Sequence, residues 1–270
     1  MRITFIGGGN MANALIGGLR KQGFSAAGMQ VVEPGEEARA RLSDDFGVRC
    51  TPVLDAAALH CETLVLAVKP QQMKAAIAPA AGKLSDQLVI SIAAGLRLAD
   101  IGRWLGDYTR VVRTMPNTPA LIGAGITGLY AGPEVDREGR ETAEKILGAV
   151  GRTLWVDDEA LMDVVTAVSG SGPAYVFYFI EALQNAGTAL GLPGETARLL
   201  AIETFLGASR LAESSGDPVS ELRARVTSKG GTTAAALEAF NSEGIADGIA
   251  KGVEAAALRG RELCEILGQD

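Results

Sequence analysis

The chain has one histidine and three cysteines in 270 residues, and its charges lean negative. Cys50, Cys61 and Cys264 are odd in number and widely spaced, which excludes a disulfide framework and gives no zinc-binding spacing. They read as reduced, buried thiols. His60 falls between a short helical segment and a strand, away from every motif below, and reads as a surface or capping residue. Lys and Arg total 25 against 32 Asp and Glu, a net charge of −7, which opposes any general attraction to nucleic acid or anionic lipid. An anionic ligand therefore needs a local trap. Unbroken apolar runs are also missing. Residues 114–133 and 164–180 carry no charge, but Pro116, Pro119, Gly123, Gly125 and Gly128 interrupt the first, and Ser169, Gly170, Ser171, Gly172 and Pro173 the second. Neither suits a membrane span. Residues 3–6 are too short an apolar run for a secretory signal, so a cytoplasmic location is expected.

With 47% apolar and 21% charged residues the chain has ample core material, and its length suits two modest domains. As far as residue 156, short β-rich runs at 3–6, 29–33, 63–68, 88–92, 110–113, 126–130 and 153–156 alternate with helical segments at 10–22, 35–46, 71–81, 97–105 and 134–149. Gly23, Gly47, Gly82, Gly106 and Gly151 stand at or near the helix ends, where left-handed caps belong. The alternation predicts a doubly wound sheet of parallel strands with crossover helices over 1–156. From 157 to 270 the strand signal vanishes and alanine- and leucine-rich stretches predict an all-helical domain. The helix opening at Pro173 and closing near Gly191 is apolar nearly all round, so it is expected to be buried. A last helix over 245–267 places Gly248, Gly252, Ala256 and Gly260 on one ridge, favouring close helix packing between two subunits over packing within the chain.

Residues 3–15 read ITFIGGGNMANAL, with Gly7, Gly9 and Ala12 forming GxGxxA directly after a strand and at the start of a helix. In that setting Gly7 makes the tight turn, Gly9 admits a pyrophosphate, and Ala12 lets helix pack on strand. The fold class is α/β, an N-terminal Rossmann-like, doubly wound, mostly parallel sheet with a C-terminal helical domain. Glu33 closes the second strand 21 residues beyond Ala12, where an acidic group would bind the adenine ribose; a solvated strand-end glutamate is the alternative. A carboxylate there favours NAD, although Arg39 or Arg41 could supply countercharge for the extra phosphate of NADP.

Four further strings stand at strand ends or helix starts: AVKPQ (67–71), SIAAG (91–95), RTMPNTPA (113–120) and AVSGSGPAY (167–175). Pro70, Pro116 and Pro119 restrict the backbone around Lys69 and Asn117, which makes both candidates for the ligand crevice at the strand ends. The string VTSKGGTT (226–233) precedes a helical run, so Gly230, Gly231, Thr232 and Thr233 offer N–H groups and hydroxyls at a helix N-terminus, a local anion trap. Capping by Thr232 or Thr233 is the alternative.

GGGNMA, AVKPQ, SIAAG, MPNTPA, AVSGSGPAY and TSKGGTT, in this order, closely resemble the pyrroline-5-carboxylate reductase family over essentially the whole chain. The resemblance implies reduction of 1-pyrroline-5-carboxylate to proline by NADPH, or by NADH given Glu33. It implies coenzyme binding by Ile6, Gly7, Gly8, Gly9, Asn10, Met11, Glu33, Ala67, Val68, Lys69 and Pro70, to which Asn117 is added from its place in the crevice. It implies a substrate carboxylate held around Ser228, Gly230, Gly231 and Thr232, with Thr233 as the catalytic residue that hydrogen-bonds the ring nitrogen. No metal is expected. Homodimers through the helical domain, and decamers of five dimers, are the family's assemblies. Lys229 departs from the family's usual proline and Glu33 from the small residue of many NADP-preferring members. A 3-hydroxyacid dehydrogenase is the rival enzyme, but its catalytic lysine is missing, since no Lys occurs between Lys145 and Lys229. The other rival is a non-catalytic nucleotide sensor.

Overall fold

The computed structural model describes residues 1–269. It divides into two compact units, residues 1–171 with 256–269, and residues 172–255. The first contains β1 (Ile3–Ile6), α1 (Asn10–Lys21), β2 (Met29–Val32), α2 (Glu36–Phe46), β3 (Arg49–Thr51), β4 (Thr63–Leu66), α3 (Met73–Ile77), β5 (Leu88–Ser91), α4 (Leu98–Trp104), β6 (Val111–Met115), β7 (Gly125–Ala131), α5 (Arg137–Leu147), β8 (Gly151–Trp155) and α6 (Leu161–Val165). The strands form one sheet in the order β3-β2-β1-β4-β5-β6-β7-β8. All eight residues of β1 and β4 are buried, as expected of central parallel strands covered on both faces.

β3 was not expected, because RCT has only three residues and a polar start. β7 runs antiparallel to β6, within a sheet expected to be mostly and not wholly parallel. Its cause is local: only the tight turn Thr118–Ile122 joins the two strands, leaving no crossover helix to carry the chain back. The amphipathic spacing of α1 buries Ala12, Leu15, Ile16 and Leu19 against the sheet, and Gly18 lies so close to the Ala149 carbonyl that a Cβ would overlap it. Gly23, Gly47, Gly82 and Gly106 have φ between +67° and +89°, as the helix-end reading requires, whereas Gly151, at φ +151° and ψ −153°, is no left-handed cap and opens β8.

The second unit holds α7 (Gly172–Ala189), α8 (Gly194–Ser214), α9 (Val219–Arg225) and α10 (Thr232–Ser242), together with the first part of α11 (Ile245–Leu267). α7 packs on α8 where Gly187 meets Ala197, yet none of its residues is buried. Phe177 is 66% and Tyr178 69% exposed. The expectation of a buried helix therefore fails within one chain, because the hydrophobic faces of α7 outnumber the neighbours this unit supplies. Along α11, Gly248 and Gly252 have open space beside them, whereas Gly260 packs on Asp163.

The break between compact units falls after Ser171, fifteen residues beyond the expected boundary at 156 and 157. Arg113 explains the shift. Its guanidinium, 3% exposed, donates to Glu159 Oε1 and Asp163 Oδ1, each at 3.1 Å, and lies 3.7 Å from the thiol of Cys264. A buried cation of this kind must be paired, so it binds α6 and the end of α11 to the sheet unit. No helix is long and apolar enough to cross a membrane among the described residues.

Candidate functional site

The residues of GGGNMA converge at the carboxyl end of β1. Gly7 turns the chain at φ +99°, a conformation open to glycine, and a Cβ there would lie 2.7 Å from the Ala67 carbonyl oxygen and 2.9 Å from Val68 Cγ1. Its N–H donates to the Val32 carbonyl at 2.8 Å, and the Ala67 N–H to the Ile6 carbonyl at 2.8 Å. The ends of β1, β2 and β4 are thereby tied into one rim. Gly9 is the N-cap of α1; it has nothing within 4 Å of its Cβ position and no side chain to cap the helix, and the first turn holds no acidic group. Asn10 is exposed beside it and Met11 half-buried. An uncapped helix start, space and a first turn without an acidic side chain fit a pyrophosphate. Lys69, next to Pro70, is exposed on the same rim after β4.

The Glu33 carboxylate is not simply solvated at the strand end. Its Oε2 accepts from the Gly8 N–H at 2.9 Å and its Oε1 from the Gly35 N–H at 2.8 Å, so the carboxylate braces the glycine loop against the turn into α2. Arg39 donates to the carbonyls of Glu33 and Pro34, at 2.9 and 2.6 Å, which sets a cation beside the end of β2. Arg41 has no such contact.

Asn117 is fixed at both ends of its amide: Oδ1 accepts from the Ile126 N–H at 3.0 Å, and Nδ2 donates to Ser169 Oγ at 3.2 Å. It lies after β6, without a direct bond to the glycine loop. AVSGSGPAY stands at a helix start as expected, its first residues in a wide helical turn over Thr166–Gly170 that leads into α7.

In the second unit, Ser228 and Gly231 close a turn, with the Gly231 N–H on the Ser228 carbonyl at 3.0 Å. A Cβ on Gly231 would meet Ser228 Oγ, which can rotate away, whereas Gly230 sits at φ +72°, the position in the turn that favours glycine. Gly231 itself is the N-cap of α10, with no side-chain bond to the first turn and no acidic residue within it. Thr232 and Thr233 lie inside the helix, so the capping alternative is not what the threonines do. Thr233 is half-buried; Thr232, Ser228, Lys229 and Gly230 are exposed.

The remaining reactive groups offer no rival centre. Cys61 and Cys264 are buried and Cys50 is half-buried rather than buried; burial raises all three thiol pKa values, keeping them protonated. His60 is exposed, with Nε2 2.7 Å from Arg2 Nη1. No group of metal ligands occurs among the described residues.

An open, doubly wound sheet with a glycine turn at its first strand, followed by a helical unit, defines a dinucleotide-binding oxidoreductase architecture. Residues 159–263 match the family model described as pyrroline-5-carboxylate reductase dimerisation, and residues 2–95 the one described as NADP oxidoreductase coenzyme F420-dependent. The chain is 48% identical to the pyrroline-5-carboxylate reductase of Pseudomonas aeruginosa, over 99% of this chain and 98% of that one. It is 43% identical to the enzyme of Haemophilus influenzae, over 97% of each. Among solved structures, a pyrroline-5-carboxylate reductase from Coxiella burnetii superposes with a TM-score of 0.92 at 42% identity, covering 97% of this chain and 98% of that chain. The Plasmodium falciparum pyrroline carboxylate reductase with NADP bound gives 0.87 at 28%, covering 98% of each. This chain belongs to the pyrroline-5-carboxylate reductase family.

Proposed function

We propose that the protein reduces 1-pyrroline-5-carboxylate to proline, taking a hydride from NADPH and accepting NADH as well. The observation that carries the reading is the α10 N-terminus, uncapped and free of acid, behind a turn with Gly230 at φ +72°, in a chain related to reductases of this name from end to end. The reduced nicotinamide, when bound, supplies the hydride. Ile6, Gly7, Gly8, Gly9, Asn10 and Met11 would hold its pyrophosphate, with Ala67, Val68, Lys69, Pro70 and Asn117 toward the nicotinamide half and Glu33 and Arg39 at the adenosine end. The N–H groups of Gly231 and Thr232, with Ser228 and Gly230 shaping their approach, hold the substrate carboxylate. Thr233 orients the ring nitrogen, as donor or acceptor according to its protonation. A cyclic imine is basic enough to be protonated near neutral pH, so the site needs to orient an iminium and exclude water; it needs no strong acid. That suits a site without histidine.

The protein acts as a homodimer through its helical domain, residues 157–270, and five such dimers make the decamer of the extended proposal. Three free thiols suit the reducing cytoplasm. The decisive assay follows the near-ultraviolet absorbance of NADPH and of NADH. Its loss on adding 1-pyrroline-5-carboxylate, with proline formed, supports the reductase. Binding without turnover leaves only the sensor, and NAD(P) reduction by a hydroxyacid the dehydrogenase.

A further inference from the structure

AVSGSG is the motif that the proposed reaction leaves unused. Its wide turn is closed by the Ser171 N–H on the Thr166 carbonyl at 2.8 Å, five residues apart, an insertion of the kind that clusters at functional positions. The turn packs on the carboxyl end of β6, where a Cβ on Gly170 would overlap Met115. Ser169 lies on it, half-buried, accepting from Asn117 Nδ2. Because the Ile126 N–H needs an acceptor, the Asn117 oxygen must face it and the NH₂ must face Ser169. With one lone pair so occupied, the Ser169 hydroxyl turns its proton elsewhere, and it donates to no acceptor among the described residues. β6 is three strands from β1, about 14 Å at the usual strand spacing of about 4.8 Å. That is the side of the glycine turn to which a dinucleotide extends its nicotinamide half, with the adenosine over β2.

We infer that Ser169 donates a hydrogen bond to the carboxamide oxygen of the nicotinamide ring, with Asn117 as the positioning residue that aims it. The inference rests on the coenzyme reading given above. It is tested by calorimetric Kd values of the full-length protein for NADPH and for the thionicotinamide analogue, whose sulfur is a poorer acceptor than oxygen. One neutral hydrogen bond corresponds to about three- to tenfold in affinity. Wild type should therefore bind the analogue about three- to tenfold more weakly than NADPH. Ser169→Ala should bind NADPH more weakly by a similar factor and distinguish the two coenzymes by less than about twofold. Asn117→Asp should behave alike, since its carboxylate still accepts from Ile126 but draws the Ser169 proton to itself. Undiminished discrimination in Ser169→Ala overturns the inference. So does an unchanged NADPH affinity with a raised KM for 1-pyrroline-5-carboxylate, which would put the hydroxyl on the substrate. Wild type that binds neither coenzyme refutes the coenzyme reading itself.

Discussion

Thr233 and Glu33 are the two side chains whose roles can be separated by single substitutions. In the proposed reaction Thr233→Ala would remove one oriented hydrogen bond at the ring nitrogen while leaving the α10 amides in place. It should lower kcat by roughly ten- to a hundredfold and leave coenzyme affinity nearly unchanged; unaltered turnover removes Thr233 from the mechanism. Glu33 has a double duty, because the carboxylate that would meet a ribose hydroxyl already satisfies the N–H groups of Gly8 and Gly35. Glu33→Ser frees both, at a cost of about 1–3 kcal/mol in stability, and removes the negative charge that opposes the extra phosphate of NADPH beside Arg39. The kcat/KM ratio of NADPH to NADH should rise and the melting temperature fall. A constant ratio shows that Glu33 acts on the loop alone. The spacing from Ala12 disclosed where Glu33 stands on the chain, but its bond to Gly8 joins two turns 25 residues apart, and no local pattern encodes that. Asn117 was legible as a candidate through its flanking prolines and AVSGSGPAY as a string at a helix start, but no local pattern pairs Asn117 with Ser169, 52 residues on.

Element boundaries followed the glycines closely where the cause is local backbone geometry, as at Gly47 and Gly106, and the last helix occupies 245–267 as read. What escaped was decided by partners distant in sequence: β3 exists because its residues pair with β2, and β7 reverses because of the tight turn before it. α5 shows how a local signal becomes a stability term. Its N-cap Asp136 accepts from the Gly139 N–H at 2.8 Å and faces the Arg110 guanidinium. The Gly139 N–H, then Arg110, holds the Asp136 carboxyl below its ordinary pKa. A depressed carboxylate stabilises the fold above its unfolded pKa, about 3.9, and loses that contribution as the pH falls through the folded value. Asp136→Ala should therefore melt below wild type at neutral pH, and the gap should close progressively under about pH 4. A gap that persists in strong acid would mean that the cap contributes through packing and not through charge.

At the scale of the molecule, the exposed helices call for a covering surface. α7 presents Val176, Phe177, Tyr178 and Leu183 to solvent in a single chain, and α11 adds Ile245 and Ile249 beside the open positions of Gly248 and Gly252. Exposed large apolar side chains clustered on a helical unit mark an interaction surface. The sequence foretold the ridge but could not divide it, and only the coordinates assign Gly260 to packing within the chain and leave Gly248 and Gly252 free. Gly252→Leu separates the two readings sharply, since nothing in the chain itself lies within 4 Å of the new Cβ. If the ridge faces water, leucine stabilises α11 through helix propensity by somewhat less than the roughly 0.8–1.0 kcal/mol that separates Gly from Ala, and the mass stays that of wild type. If a second subunit lies against the ridge, leucine drives the helices apart. Light scattering at micromolar concentration should then give a dimer or a multiple of it for wild type and a smaller species for Gly252→Leu, with KM and kcat both impaired. A monomeric wild type, or a variant with wild-type mass and a raised melting temperature, would leave the ridge without a partner.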